Sequence, residues 1–141
     1  MKNFLRTSFM SLTRNEALAR GVAAQFCLLF DPTVEELSDV RTAVSEAVTN
    51  AVIHGYGASG GTVEMELYAD GDLLTVVVSD KGRGIEDIEL ARRPFYTSRP
   101  EAERSGMGFA VMEAFMDSGE VESEVGKGTT VTMKKRLGAH E

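Results

Sequence analysis

Glu46 and Asn50 stand four residues apart in the run Ser45-Glu46-Ala47-Val48-Thr49-Asn50. On a helix that spacing brings both side chains out on one face, with Ser45 and Thr49 beside them and Val44, Val48 and Val52 opposite. A carboxylate so placed can take a proton, and a neutral amide carbonyl can ligate a hard cation. A merely solvated helix face is the competing explanation. A second segment, Asp80-Lys81-Gly82-Arg83-Gly84, follows a run dense in β-branched residues. An acid at that point can accept from an amino group, and the glycines let a ligand lie against bare backbone; an ordinary Asp-Gly turn would look the same. The third segment is Arg104-Ser105-Gly106-Met107-Gly108-Phe109, small residues leading into a helix whose first amides form an anion site. The better-known phosphate loops are absent. Gly126-Lys127 is followed by Gly128 where a Walker loop needs Ser or Thr, and neither Gly82-x-Gly84 nor Gly106-x-Gly108 has the third glycine of a dinucleotide fingerprint.

The elements that must carry these segments are legible from periodicity. Residues 3 to 10 read as a first strand. Thr13 with Glu16 suggests a capping box opening a helix that has Leu18, Val22, Phe26, Leu29 and Phe30 on its buried face, ended by Asp31-Pro32. Thr33 with Glu36 opens a longer helix whose stripe is Leu37, Val40, Val44, Ala47, Val48, Ala51 and Val52, closed by Gly55 and Gly57. Val63, Met65 and Leu67 alternate with Glu64, Glu66 and Tyr68 as in a half-exposed strand, and Asp70-Gly71 makes a hairpin turn into the strand 73 to 78. Residues 92 to 105 have Pro94 and Pro100 and no periodicity. A long loop of that kind in a compact domain is usually functional, and this one is expected to close as a lid. Met107 to Met116 reads as a helix, and 120 to 125 with 129 to 137 as a last hairpin around Gly126-Lys127-Gly128. The order β-α-α-β-β-α-β-β predicts an α+β fold, a two-layer α/β sandwich with helices on one face of a mixed, mostly antiparallel sheet.

Bulk properties narrow the function. The 141 residues fit one domain, 1–141, with an ordinary 43% hydrophobic content. No apolar run reaches a membrane span and the start lacks a signal peptide's apolar stretch, so a cytoplasmic location with no membrane partner is expected. Twenty-two acidic against fifteen basic residues, a net charge of −7, argue against direct nucleic-acid binding. One cysteine, Cys27, and two histidines, His54 and His140, exclude an internal disulfide and any Cys/His metal cluster. Cys27 lies among Ala24, Phe26 and Leu28, where a buried, inert thiol is expected.

Taken together, the polar Glu-x-x-x-Asn helix, the strand ending in Asp-x-Gly-x-Gly and the Gly-x-Gly helix start occur in the order of the asparagine box and two glycine boxes of the GHKL ATPases, whose ATP-binding domain is the Bergerat fold. The resemblance runs from about residue 13 to residue 133. Ser45 to Tyr56 and Glu103 to Phe109 resemble the anti-sigma serine kinases more narrowly, and Met112-Glu-Ala-Phe-Met-Asp117 and the Arg20 helix resemble the sporulation branch of that group. The general stress-response kinases are near relatives.

The resemblance implies ATP and Mg²⁺ as ligands. Asn50 would bind the Mg²⁺, and Asp80 would accept from the adenine amino group. Gly82 and Gly84 would wall the nucleotide; Ser105, Gly106 and Gly108 would face the phosphates, with Arg104 as a cation. Thr130 would place a hydroxyl near adenine, although a β-branched strand residue is equally expected there. Glu46 would be the general base for an incoming serine hydroxyl. His54 lies in the same segment, and a helix-end hydrogen bond explains it without chemistry. Lys81 departs from the acidic residue expected in the first glycine box. The implied function is an anti-sigma factor that holds a sporulation sigma factor and phosphorylates an anti-anti-sigma factor on serine. A homodimer is implied too, with the first strand and helix as its surface and Arg20 as a partner contact. The other readings are an anti-sigma module using ATP only structurally, a detached histidine-kinase catalytic domain, and a gyrase- or MutL-like clamp.

Overall fold

A computed structural model describes residues 2–56, 60–85 and 108–138. Strand β1 (Lys2–Met10) leads into helix α1 (Asn15–Cys27), which tightens into a 3₁₀ turn at Leu28–Phe30. Helix α2 (Val34–Asn50) continues as a π-helical stretch, Ala51–Tyr56. Strands β2 (Thr62–Asp70) and β3 (Leu73–Asp80) form a hairpin around Gly71, whose φ of 63° belongs to the left-handed region glycine tolerates. Helix α3 (Gly108–Phe115), β4 (Ser118–Glu124) and β5 (Gly128–Arg136) complete the described chain.

The five strands lie in the order β1-β2-β3-β5-β4. Among the described residues all four ladders are antiparallel, so the sheet they form is not mixed as the sequence suggested. Two helices in succession between β1 and β2 bring the chain back to the end it left, which makes those neighbours antiparallel. The passage from β3 through α3 does restore strand direction in β4, but β5 inserts between the two, so these like-directed strands do not pair. The helices cover one face. Met65, Leu67, Leu74, Val76, Val78, Val131 and Met133 project from the sheet into a core closed by Val40, Val44, Ala47 and Val48 of α2, Ala23 and Phe26 of α1, and Phe109 and Met112 of α3. Helix α2 packs against both α1 and α3. Cys27 is fully buried, and burial pushes its thiol up to about 11, so it stays protonated and unreactive at neutral pH.

The capping box of α2 forms as read: Thr33 Oγ1 accepts from the Glu36 amide at 3.1 Å and Glu36 Oε1 accepts from the Thr33 amide at 2.9 Å. That carboxylate also accepts from Gly138 N at 3.1 Å, tying the end of the described chain to this helix. The box expected at Thr13 and Glu16 does not form. Helix α1 begins at Asn15 without a side-chain cap; Asn15 Nδ2 donates back to the Met10 carbonyl, and the Glu16 carboxylate turns along the helix to Arg20 Nε at 3.6 Å. The buried face of α1 also differs from the expected one. Ala19, Ala23, Phe26 and Cys27 enter the core, while Leu18 and Leu29 are 57% and 52% exposed. Small alanines let α1 approach α2 closely, and the leucines rotate outward to line an apolar groove with Phe4, Leu5, Val22 and Phe26.

Candidate functional site

Asp80 is the last residue of β3 and shares the helix-facing side with Leu74, Val76 and Val78. Its residue is only 6% exposed. Burial raises its carboxyl above the usual range, and the backbone amides of Gly82 and Thr129 pull it partly back. Gly82 N donates to Asp80 Oδ1 at 2.9 Å, so the first glycine of this segment braces the acid. A buried carboxylate has more lone pairs than these two amides occupy and is suited to accept from a ligand N–H.

Gly84 has φ 79°, and a Cβ there would run into the Glu124 carbonyl. The glycine is therefore required by the close approach of the β4–β5 hairpin as much as by any ligand. Two further bonds fasten the same loop to that hairpin: Gly126 N donates to the Arg83 carbonyl at 2.7 Å, and Ile85 N to Ser123 Oγ at 2.8 Å. Gly128, with φ 122°, packs its Cα against the Asp80 backbone, where a Cβ would meet the Asp80 carbonyl. Neither Ser123 nor Gly128 stands out in the sequence beyond the turn that Gly128 closes. Their spacing from Asp80 carries no local signal, because the contact is made across the sheet.

Thr130 does not join Asp80. Strand β5 alternates, with Thr129, Val131 and Met133 buried on the helix side and Thr130 and Thr132 on the other. Asp80 pairs with Thr129 in register, and Thr130 pairs with Ser79. The buried hydroxyl sharing the Asp80 face is thus that of Thr129, 4% exposed.

On α2, Ser45, Glu46, Thr49 and Asn50 are all half-buried, in contrast to exposed Glu35 and Arg41, so this is not a simply solvated face. Asn50 is the last residue of α2, and the π-helical stretch that follows packs on β3 and β5. Widened helical turns of this kind recur at functional sites. Glu46 lines a polar cleft of about 250 Å³ with Arg20 of α1 and with Ser38, Arg41, Thr42 and Ser45. The fold therefore joins Glu46 to Arg20, a proximity that sequence separation conceals. Among the described residues no group of three His, Cys, Asp or Glu could hold a metal unaided. A single amide carbonyl at Asn50 fits a Mg²⁺ that arrives with phosphate and water as its other ligands. Gly108 is described only as the first residue of α3; Arg104, Ser105, Gly106 and the expected lid, 92 to 105, lie outside the described residues. No described helix is long and apolar enough to cross a membrane.

The profile of the histidine kinase-like ATPase domain matches residues 9–135. The chain is 50% identical over 137 residues to the anti-sigma F factor of Thermoanaerobacter sp. (strain X514), covering 97% of this chain and 96% of that protein. It is 53% identical to the anti-sigma F factor of Clostridium acetobutylicum, with the same coverage, and 54% identical over 133 residues to that of Clostridium kluyveri, covering 94% of both. A crystal structure of the RsbU and RsbW domains of Rv1364c from Mycobacterium tuberculosis shares the fold, with a TM-score of 0.67 at 21% identity over 96% of this chain and 32% of that one. The chain belongs to the anti-sigma F factor family and is built on the histidine kinase-like ATPase domain.

Proposed function

We propose that the protein is an anti-sigma factor and serine protein kinase, which inhibits a sporulation sigma factor and phosphorylates its anti-anti-sigma antagonist from Mg²⁺-ATP. The observation that carries this reading is the position of Glu46, one turn from Asn50 on α2 and in the same cleft as Arg20. Four residues of helix rise about 6 Å. In this reading the carboxylate lines a surface cleft with two arginines, where a partner's serine can be presented, one turn from the amide that serves the nucleotide.

In this mechanism Asp80 and Thr129 face the adenine, Gly82 and Gly84 line it, and Asn50 holds the Mg²⁺. Ser105, Gly106, Gly108 and Arg104 serve the phosphates. Bound Mg²⁺ neutralises phosphate charge. Glu46 accepts the proton of the partner's serine hydroxyl as its oxygen bonds to the γ-phosphorus, the bond from that phosphorus to the β–γ bridging oxygen breaks, and ADP leaves. Release of the phosphorylated partner leaves the kinase free to hold the sigma factor again. Transfer of labelled γ-phosphate to the antagonist tests the kinase, and pull-down with mass spectrometry identifies the sigma factor. Sigma binding without any transfer would reduce the protein to a binding module.

The apolar groove between β1 and α1 supports a homodimer. Phe4, Leu18 and Leu29 are all more than half exposed there, and β1 is an edge strand. A second copy covers such a surface with itself about a two-fold axis. Leu18→Asp should shift the protein from dimer to monomer in sedimentation while leaving the fold intact, because Leu18 is outside the core. A wild-type monomer in the presence of ATP, or an unshifted variant, would refute this interface.

A further inference from the structure

Ser123, on β4, sits where the first glycine segment meets the last hairpin. Its Oγ accepts from Ile85 N at 2.8 Å, lies 3.0 Å from the Gly128 carbonyl oxygen, and lies 2.8 Å from Thr129 Oγ1. A serine hydroxyl has one proton and two lone pairs. The Gly128 carbonyl can only accept, so the Ser123 proton is committed to it. The Ile85 amide takes one lone pair. The remaining contact closes only if Thr129 donates its own proton into the second lone pair. Every capacity of Ser123 is then filled, and Thr129 Oγ1 has only lone pairs left for a third group.

Thr129 lies across from Asp80 in register and on the same buried face. We propose that Ser123 is a specificity-determining positioning residue: by consuming the Thr129 proton it makes the Asp80–Thr129 pair an all-acceptor surface. Facing position 6 of the ring, such a surface matches a purine that carries an exocyclic amine there and repels one with an oxo group. A site of fixed hydrogen-bond polarity discriminates more strongly than one whose hydroxyl can rotate to suit either base. The proposal rests on the ATP-binding reading above.

The test is calorimetric binding of ATP and inosine triphosphate, whose bases carry an amine and an oxo group at that position. Ser123→Ala frees the Thr129 hydroxyl to donate, and the preference for ATP over inosine triphosphate should fall about tenfold. Ser123→Thr keeps a hydroxyl and should keep the preference. In a Thr129→Val background, Ser123→Ala should leave the ratio unchanged. Equal weakening of both nucleotides by Ser123→Ala would make the serine a loop anchor only and overturn the proposal, as would the same change of ratio in the Thr129→Val background. If Ser123→Ala does not fold, Ser123→Cys, with its weak donor, reads the same ratio. A wild-type chain that binds ATP without preferring it overturns the proposal alone; one that binds neither nucleotide brings down the ATP reading and the proposal with it.

Discussion

Replacing Glu46 by glutamine should slow serine phosphorylation by roughly 10²–10⁴-fold, the usual worth of a positioned base. Glutamine keeps the size and polarity of the side chain on a half-buried face of α2 but cannot take a proton at neutral pH. Packing beneath it, by Val44, Ala47 and Val48, is untouched. ATP affinity should therefore change little, and sigma-factor binding should persist, since neither needs the proton transfer. Asn50→Ala is the contrasting variant: it removes the expected Mg²⁺ ligand and should weaken nucleotide binding and both activities together. Measuring γ-phosphate transfer alongside nucleotide and sigma affinities separates the two. Near-normal transfer by Glu46→Gln would reject the base assignment, and loss of ATP binding in that variant would move Glu46 into the metal's surroundings.

Asp80→Asn should weaken ATP binding by about 1–3 kcal/mol, or up to roughly a hundredfold. One end of the asparagine amide is a donor, so it either opposes the adenine amine or turns toward the Gly82 amide and leaves that N–H without its acceptor. Stability of the nucleotide-free protein should respond in the opposite sense. Burial raises the Asp80 carboxyl, so the folded chain holds its proton more tightly than the unfolded one. The resulting stability is fully present below the unfolded carboxylate value of about 3.9 and is lost as pH rises through the higher folded value. Relative to the asparagine variant, the wild-type chain should therefore lose stability as pH rises from the acid side toward neutrality. Urea denaturation of both chains across that range checks the sign. A wild-type chain that gains on the variant with rising pH would show that the two backbone amides outweigh burial. Unchanged ATP affinity in the variant would remove Asp80 from the adenine contact.

Local patterns were enough to place much of the fold. The Thr33–Glu36 box, the alternation of Val63, Met65 and Leu67, and the Asp70-Gly71 turn each act within a few residues, and each forms where the chain predicted it. The Glu46–Asn50 spacing and the strand running into Asp80 likewise depend only on helix and strand geometry. Tertiary structure decided what pairs with what. Thr129 and Thr130 are indistinguishable as neighbouring β-formers, and only the register against β3 puts one beside Asp80 and the other on the opposite face, because a pleated strand reverses sides at every residue. Leu18 and Leu29 carry the helical spacing of core residues, yet the close packing of Ala19 and Ala23 against α2 turned them outward. Ser123 reaches Ile85 from 38 residues away, and Arg20 reaches the Glu46 cleft from another helix. Sequence determined the kinds of groups this protein can use and the elements that bear them; the non-local pairing of strands and helices, which no short window contains, decided which of those groups share a face.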